Sequence, residues 1–234
     1  VKSALFDDSG RIYLAATIQD HPKQWGGLVY RRDILETMTG GNVAFPSGSE
    51  EPTTIADWEY MLELMKQYFT AAGLPDYACL ILPATGYFST GELISGFGIG
   101  GTDYLKEDGS VGYGIAEDNF YNYLVKMKEW YAKGYIYADF AGRSQDLFYL
   151  PNTALTYGGS AGIWFGLVQQ VGDAMSLPEY GLLMDVMPLA APIDTEHGIE
   201  TPTPVYLAAT RATSNSGWAI STACSKEKLT RILT

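Results

Sequence analysis

Between residues 54 and 82 the chain changes its hydrophobic period, and that change restricts the fold more than any other feature. Ile55, Trp58, Leu62, Met65 and Phe69 recur at the spacing of one face of a helix. Thr54 precedes them as a candidate cap, with Asp57 three residues on as a short version of the capping-box acid. Gly73 stops the run. Ala78-Cys79-Leu80-Ile81-Leu82 then follow without a polar residue, as in a strand buried on both faces of a parallel or mixed sheet. An amphipathic helix feeding a doubly buried strand calls for an α/β architecture, a mixed sheet flanked by helices.

Other segments extend this pattern. A strand over Gly10–Ile18 is expected after a turn at Asp8-Ser9-Gly10, and a second at Gly27–Tyr30. Arg31–Leu35 lead into a loop rich in Gly, Ser and Pro that ends at Pro52. Glu107-Asp108-Gly109-Ser110 predicts a hairpin within Tyr104–Tyr113. A helix is predicted from about Glu117 to Lys133, with acids in its first turn, Phe120, Leu124 and Met127 on one face, and Gly134 as its stop. Beyond it the pattern reads as a strand at Ala154–Tyr157, a helix from about Ile163 and a strand near Leu182–Met187. A strand pair near Val205–Ala209 and Trp218–Thr222 and a helix after Ser225 complete it.

Charge and composition exclude several functions. A net charge of −12 does not suit the phosphate backbone of nucleic acid, which needs clustered Lys and Arg. No apolar run reaches the ~18 residues of a membrane span, so the chain is expected to be soluble. His21 and His197 show no zinc-ligand spacing with Cys79 and Cys224, and no cofactor is expected. The two cysteines can form one disulfide or remain two buried thiols.

Two motifs suggest chemistry. Gly158-Gly159-Ser160-Ala161-Gly162 fits G-x-S-x-G between an expected strand and an expected helix, the setting of a nucleophile elbow. Ser160, Asp185 and His197 even follow the required order, but the interval from Ser160 to His197 holds barely one strand–helix unit. A serine hydrolase therefore stays an alternative, and a glycine-lined turn is the simpler reading. Gly96-Phe97-Gly98-Ile99-Gly100-Gly101 fits G-x-G-x-x-G, but a hairpin follows where pyrophosphate binding needs a helix N-terminus.

Five segments in order resemble the sugar-binding, maltose-binding-protein-like solute-binding proteins of ABC importers, family 1. Ser9-Gly10-Arg11-Ile12-Tyr13 is similar to the hinge strand dGkiYg(l)P, with Ala15-Ala16 where proline is usual. Leu28–Leu35 resembles l.YnkDlL, and Pro52–Glu59 resembles P.TWdEl with residues inserted and the Trp displaced. Glu129–Phe140 resembles kWYkeGlidpdf, and Gly217–Ser221 resembles the return strand before a helix.

The resemblance implies a periplasmic-binding-protein-like type II lobe with the other lobe incomplete. Residues 1–26 would be a hinge strand and crossing segment, 27–187 the second α/β lobe, and 188–234 a truncated return into the first lobe. About a hundred residues of first lobe would precede this chain. The implied function is non-enzymatic: capture of a mono- or oligosaccharide in an interlobe cleft and delivery to a membrane permease. The complete protein would be monomeric and either lipid-anchored outside the cell or periplasmic. A peptide, amino acid or polyamine ligand on the same fold is the alternative.

By family position the cleft would take Thr85, Tyr87 and Phe88 from the loop after the buried strand. Gly159, Ser160 and Trp164 would come from a strand-to-helix turn, with Trp164 as the stacking aromatic. Gln24 and Trp25 would come from the hinge crossing. Asp20, Arg143 and Arg211 would be secondary candidates for polar ligand groups. Tyrosine and tryptophan suit this role because each joins an apolar face to a polar tip.

Overall fold

The computed structural model describes residues 9–10, 15–18, 26–74, 77–82, 93–101, 103–106, 108–140, 160–167, 185–203, 213–218, 221, 223–225 and 227–228. The chain divides into two compact units, Val1–Gln24 with Ala208–Thr234, and Trp25–Leu207. In the smaller unit, β1 (Ala15–Ile18) pairs antiparallel with β8 (Thr213–Trp218), Ala15 opposite Trp218. Strand β8 thus ends where the sequence placed its start, and Val205–Ala209 lie outside the described residues.

The larger unit is built on a four-stranded mixed sheet in the order β3-β6-β2-β7. Strand β2 (Gly26–Arg31) is central, antiparallel both to β6 (Ala161–Leu167) and to β7 (Val186–Pro188). Strand β3 (Ala78–Leu80) runs parallel to β6, Ala78 opposite Ala161 and Leu80 opposite Ile163. The expected buried strand in a mixed sheet is therefore present. A separate hairpin, β4 (Asp103–Leu105) with β5 (Val111–Tyr113), closes through Lys106–Ser110, where Gly109 has φ 82°.

Helix α2 (Ile55–Ala71) follows from its sequence. The Asp57 N–H donates to the Thr54 hydroxyl at 3.3 Å, and the Asp57 carboxylate accepts from the Thr54 N–H at 2.9 Å, completing the capping box. All five expected face residues are buried. At roughly 1.5–3 kcal/mol for each large apolar side chain, that stripe is a major part of the core. Gly73 leaves the helix at φ 65°.

Helix α1 (Arg32–Thr39) is an element the sequence reading leaves out. It is eight residues long, buries only Ile34 and Leu35, and ends at Gly40 with φ 64°. Too few turns are present to display a helical period.

Helix α3 (Asn119–Ala132) corrects its predicted face. Tyr123, Met127 and Trp130 point inward, Phe120 is partly buried against the core, and Leu124 is 48% exposed. Glu117 and Asp118 stand before the first turn rather than in it. Apolar residues surround this helix, so spacing alone did not choose a side. The stripe through Tyr123 puts Leu124 about 100° away around the axis.

The segment from Ile163, expected to be helical, is strand β6. Ala161-Gly162-Ile163-Trp164-Phe165-Gly166-Leu167 is a continuous apolar run, which period alone cannot separate from a buried helix. Its length, aromatic residues and glycines favour a strand, and hydrogen bonding between β2 and β3 holds it there. Strand β7 starts later than expected, and residues 154–157 lie outside the described residues.

Both cysteines are free. Cys79 is buried, and burial pushes its thiol pKa up to about 12, whereas Cys224 is partly exposed. At pH 8 a maleimide is expected to label Cys224 in minutes and Cys79 only in denaturant. Mass spectrometry of the labelled peptides checks this, and prompt native labelling of Cys79 would contradict the fold. Among the described residues, no helix is long and apolar enough to cross a membrane.

Candidate functional site

The strand register gives the sheet two distinct ends. Gly26, the first residue of β2, lies opposite Leu167, the last of β6. Strand β3 runs parallel to β6, so the chain leaves β3 through Ile81 and Leu82 at this same end. On the other side of β2, the Leu189 N–H donates to the Leu28 carbonyl at 2.8 Å as β7 runs out. Ligands of open α/β sheets sit beyond the carboxyl ends of parallel strands, which here are those of β3 and β6.

The described strand residues at that end are Gly26, Gly27, Leu28, Gly166, Leu167 and Leu82. None carries a charge, and glycine holds three of the positions on the two inner strands. Among the described residues, this end of the sheet therefore offers backbone groups and apolar contact, and no charged side chain. Sequence reasoning missed Gly26, Gly27 and Gly166. Two adjacent glycines opening a strand were the available signal.

Trp164 occupies a different setting from the expected turn. It lies within β6 opposite Val29 and is 3% exposed. Val29, Ala78, Ile81, Ala161 and Val186 form one buried apolar cluster with it, and Tyr137 packs on that cluster. Its ring fills the second face of the sheet. The opposite face, bearing Leu28, Tyr30, Ile163 and Phe165, meets the main core with α2.

Ser160 is 9% exposed, and its carbonyl accepts from the Ala78 N–H at 2.8 Å. It precedes β6 at the sheet end opposite the one that Gly26 opens. Seven residues of β6 separate the two ends, about 20 Å at the usual strand rise. Ser160 leads into a strand rather than a helix, so the turn is no nucleophile elbow. His197 also has the wrong acid for that motif, since its Nδ1 lies 2.7 Å from the buried Asp194 carboxylate.

Thr85, Tyr87, Phe88, Gly159, Gln24 and Trp25 lie outside the described residues, as do Asp20, Arg143 and Arg211. Of the candidates, Ser160 and Trp164 fall among the described residues, Ser160 at the sheet end opposite the one that Gly26 opens.

The G-x-G-x-x-G segment proves to be a packing device. A Cβ on Gly96 would lie 1.9 Å from the Pro192 carbonyl oxygen, and one on Gly100 would lie 2.3 Å from the Tyr104 ring. The next regular element is β4, so no helix N-terminus is there to hold a phosphate.

No family model matches the chain, and no curated protein matches it. Solved structures do. The S. pneumoniae ABC-transporter substrate-binding protein FusA, in complex with kestose, aligns at 16% identity and TM-score 0.59, covering 98% of this chain and 44% of that one. An extracellular solute-binding protein from Bifidobacterium longum subsp. infantis aligns at 19% identity and TM-score 0.57, covering 82% and 38%. An HMO-binding ABC-transporter-associated solute-binding protein from Bifidobacterium longum infantis aligns at 19% identity and TM-score 0.53, covering 82% and 39%. The chain thus has the fold of part of a solute-binding protein. It spans 38–44% of the length of these relatives.

Proposed function

We propose that this chain is the ligand-binding lobe of a family 1 solute-binding protein, one that captures a carbohydrate for an ABC importer. The observation that carries the reading is the likeness to FusA, solved with kestose, over 98% of this chain. The described strand residues at that end, uncharged and rich in glycine, agree with it. A neutral, hydroxyl-rich ligand is held by stacking and by planar hydrogen-bonding groups, and needs no ion pair buried beside it. An amino acid or polyamine would leave its charge unmatched by the described strand residues there. In this reading Thr85, Tyr87 and Phe88 contribute ligand contacts. Trp164 supports the floor from within the sheet. The complete protein works outside the cell membrane, lipid-anchored or periplasmic, and hands its ligand to a membrane permease.

Binding to the native state alone raises the melting temperature by mass action. Kestose or maltotriose at millimolar concentration is expected to raise it by several degrees, and amino acids, dipeptides and spermidine to leave it unchanged. A shift with spermidine or a dipeptide and none with any sugar would replace the carbohydrate reading.

A further inference from the structure

Helix α3 is apolar on two sides, and the core uses only one of them. Tyr123, Met127 and Trp130 point inward. On the opposite side Tyr121 is 72% exposed, and Leu124 and Val125 are close to half exposed. A helix with one face on the core ordinarily turns charged and polar residues to the other. Among the described residues, every exposed large hydrophobic lies from Leu105 to Tyr131, in the hairpin, in α3 or in the turn that joins them. Apolar exposure gathered in this way marks an interaction surface, whereas scattered single residues do not.

The charges at the two ends of the α3 stripe indicate what covers it. At the helical turn of about 100° per residue, Asp118, Tyr121, Leu124, Val125 and Lys128 fall within an arc of about 120°. Asp118 already has helical dihedrals, φ −57° and ψ −36°. Asp118 and Lys128 are both exposed, and neither forms an ion pair among the described residues. The helix holds them about 15 Å apart, too far to pair with each other. An identical helix laid antiparallel across a two-fold axis brings Asp118 opposite Lys128 twice and Tyr121 opposite Val125 twice, since both pairs are centred on residue 123. A second copy of the chain supplies that helix by symmetry. The net charge of −12 disfavours an anionic membrane surface as the occupant.

We propose that the outer face of α3 is a self-association surface: two chains pair through antiparallel α3 helices, with Asp118 of each against Lys128 of the other. This departs from the monomer that the resemblance implies, and it does not depend on which ligand the chain binds.

The test measures the mass of the 234-residue chain by sedimentation equilibrium. Wild type is expected to be dimeric at about 100 μM, the range of a weak but specific contact. Asp118→Lys or Lys128→Glu alone places like charges together twice and is expected to weaken association about tenfold or more. Mixed together, the two variants are expected to form a heterodimer, because the two reversed charges face each other and the two native ones do likewise. Both substitutions alter exposed groups, so melting temperatures near wild type are expected. Should Asp118→Lys unfold the start of the helix, Tyr121→Ser takes its place and is expected to be monomeric at the same concentration. A wild-type chain that stays monomeric would overturn the proposal. Single variants that associate like wild type would do the same, and so would a mixture of folded variants that does not associate.

Discussion

Asp57→Ala is expected to destabilise the larger unit by about 4 kcal/mol, with Asp57→Asn losing roughly half as much. The Asp57 side chain is fully buried and gathers four donors. Its carboxylate accepts from the N–H groups of Ser47 at 2.8 Å, Thr53 at 2.9 Å and Thr54 at 2.9 Å, and from the Thr53 hydroxyl at 3.2 Å. Alanine would leave these donors without an acceptor, release the loop between α1 and α2, and remove one half of the α2 capping box. An asparagine keeps one acceptor oxygen but not the charge. Chemical denaturation at neutral pH measures the difference, and a cost below about 1 kcal/mol would mean that water replaces the carboxylate easily.

The same site gives a pH dependence with a definite sign. Burial on its own would raise the Asp57 pKa, but the N–H groups of Thr53, Thr54 and Ser47 outweigh it and hold the carboxyl below its ordinary range. A group depressed in the folded state contributes fully above its unfolded pKa of about 3.9, and its contribution disappears as pH falls through the folded value. The gap between wild type and Asp57→Ala should therefore be widest near neutrality and narrow in acid below about pH 4. A gap that grows on acidification would contradict this assignment.

Trp58 and Trp130 give the second large effect and a sharper contrast. Both are fully buried and stack at 5.9 Å with an interplanar angle of 10°, joining α2 to α3. Replacing either with alanine should cost about 3–5 kcal/mol. Phenylalanine should separate them. The Trp130 Nε1 donates to the Glu59 carboxylate at 2.9 Å, an oxygen that also receives Lys126 at 3.2 Å. The Trp58 Nε1 is buried and has no acceptor among the described residues. An unpaired buried donor costs about 1–3 kcal/mol, so Trp58→Phe recovers that cost against its lost volume. Trp58→Phe is expected near 1 kcal/mol or below, and Trp130→Phe at about 2–3 kcal/mol. Equal costs would show that the Trp58 N–H is paired.

The elements that could be read in the sequence carry their instructions within a few residues. Thr54 and Asp57 cap each other, Asp108 and Gly109 turn the hairpin, and Gly73 and Gly134 stop helices with positive φ. The stripe from Ile55 to Phe69 works because only one side of α2 is consistently apolar. Helix α3 lacks that asymmetry: Tyr121, Leu124 and Val125 are as apolar as its inner residues, yet they face outward. For the candidate site, the sequence singled out Thr85, Tyr87, Phe88, Gln24 and Trp25, which lie outside the described residues. It misplaced Ser160 and Trp164, because their places depend on what β6 is.

Sequence alone determined the α/β class, the capped helix α2, the hairpin and the buried strand β3, since each rests on contacts within or next to one element. Tertiary structure alone decided that residues 161–167 form a strand, that this strand lies between β2 and β3, and at which end of the sheet Ser160 stands. An apolar run such as Ala-Gly-Ile-Trp-Phe-Gly-Leu satisfies burial equally well as helix or strand. The choice falls to backbone hydrogen bonds that only distant partners can supply: Ala78, opposite Ala161, on one side and Tyr30, opposite Ile163, on the other.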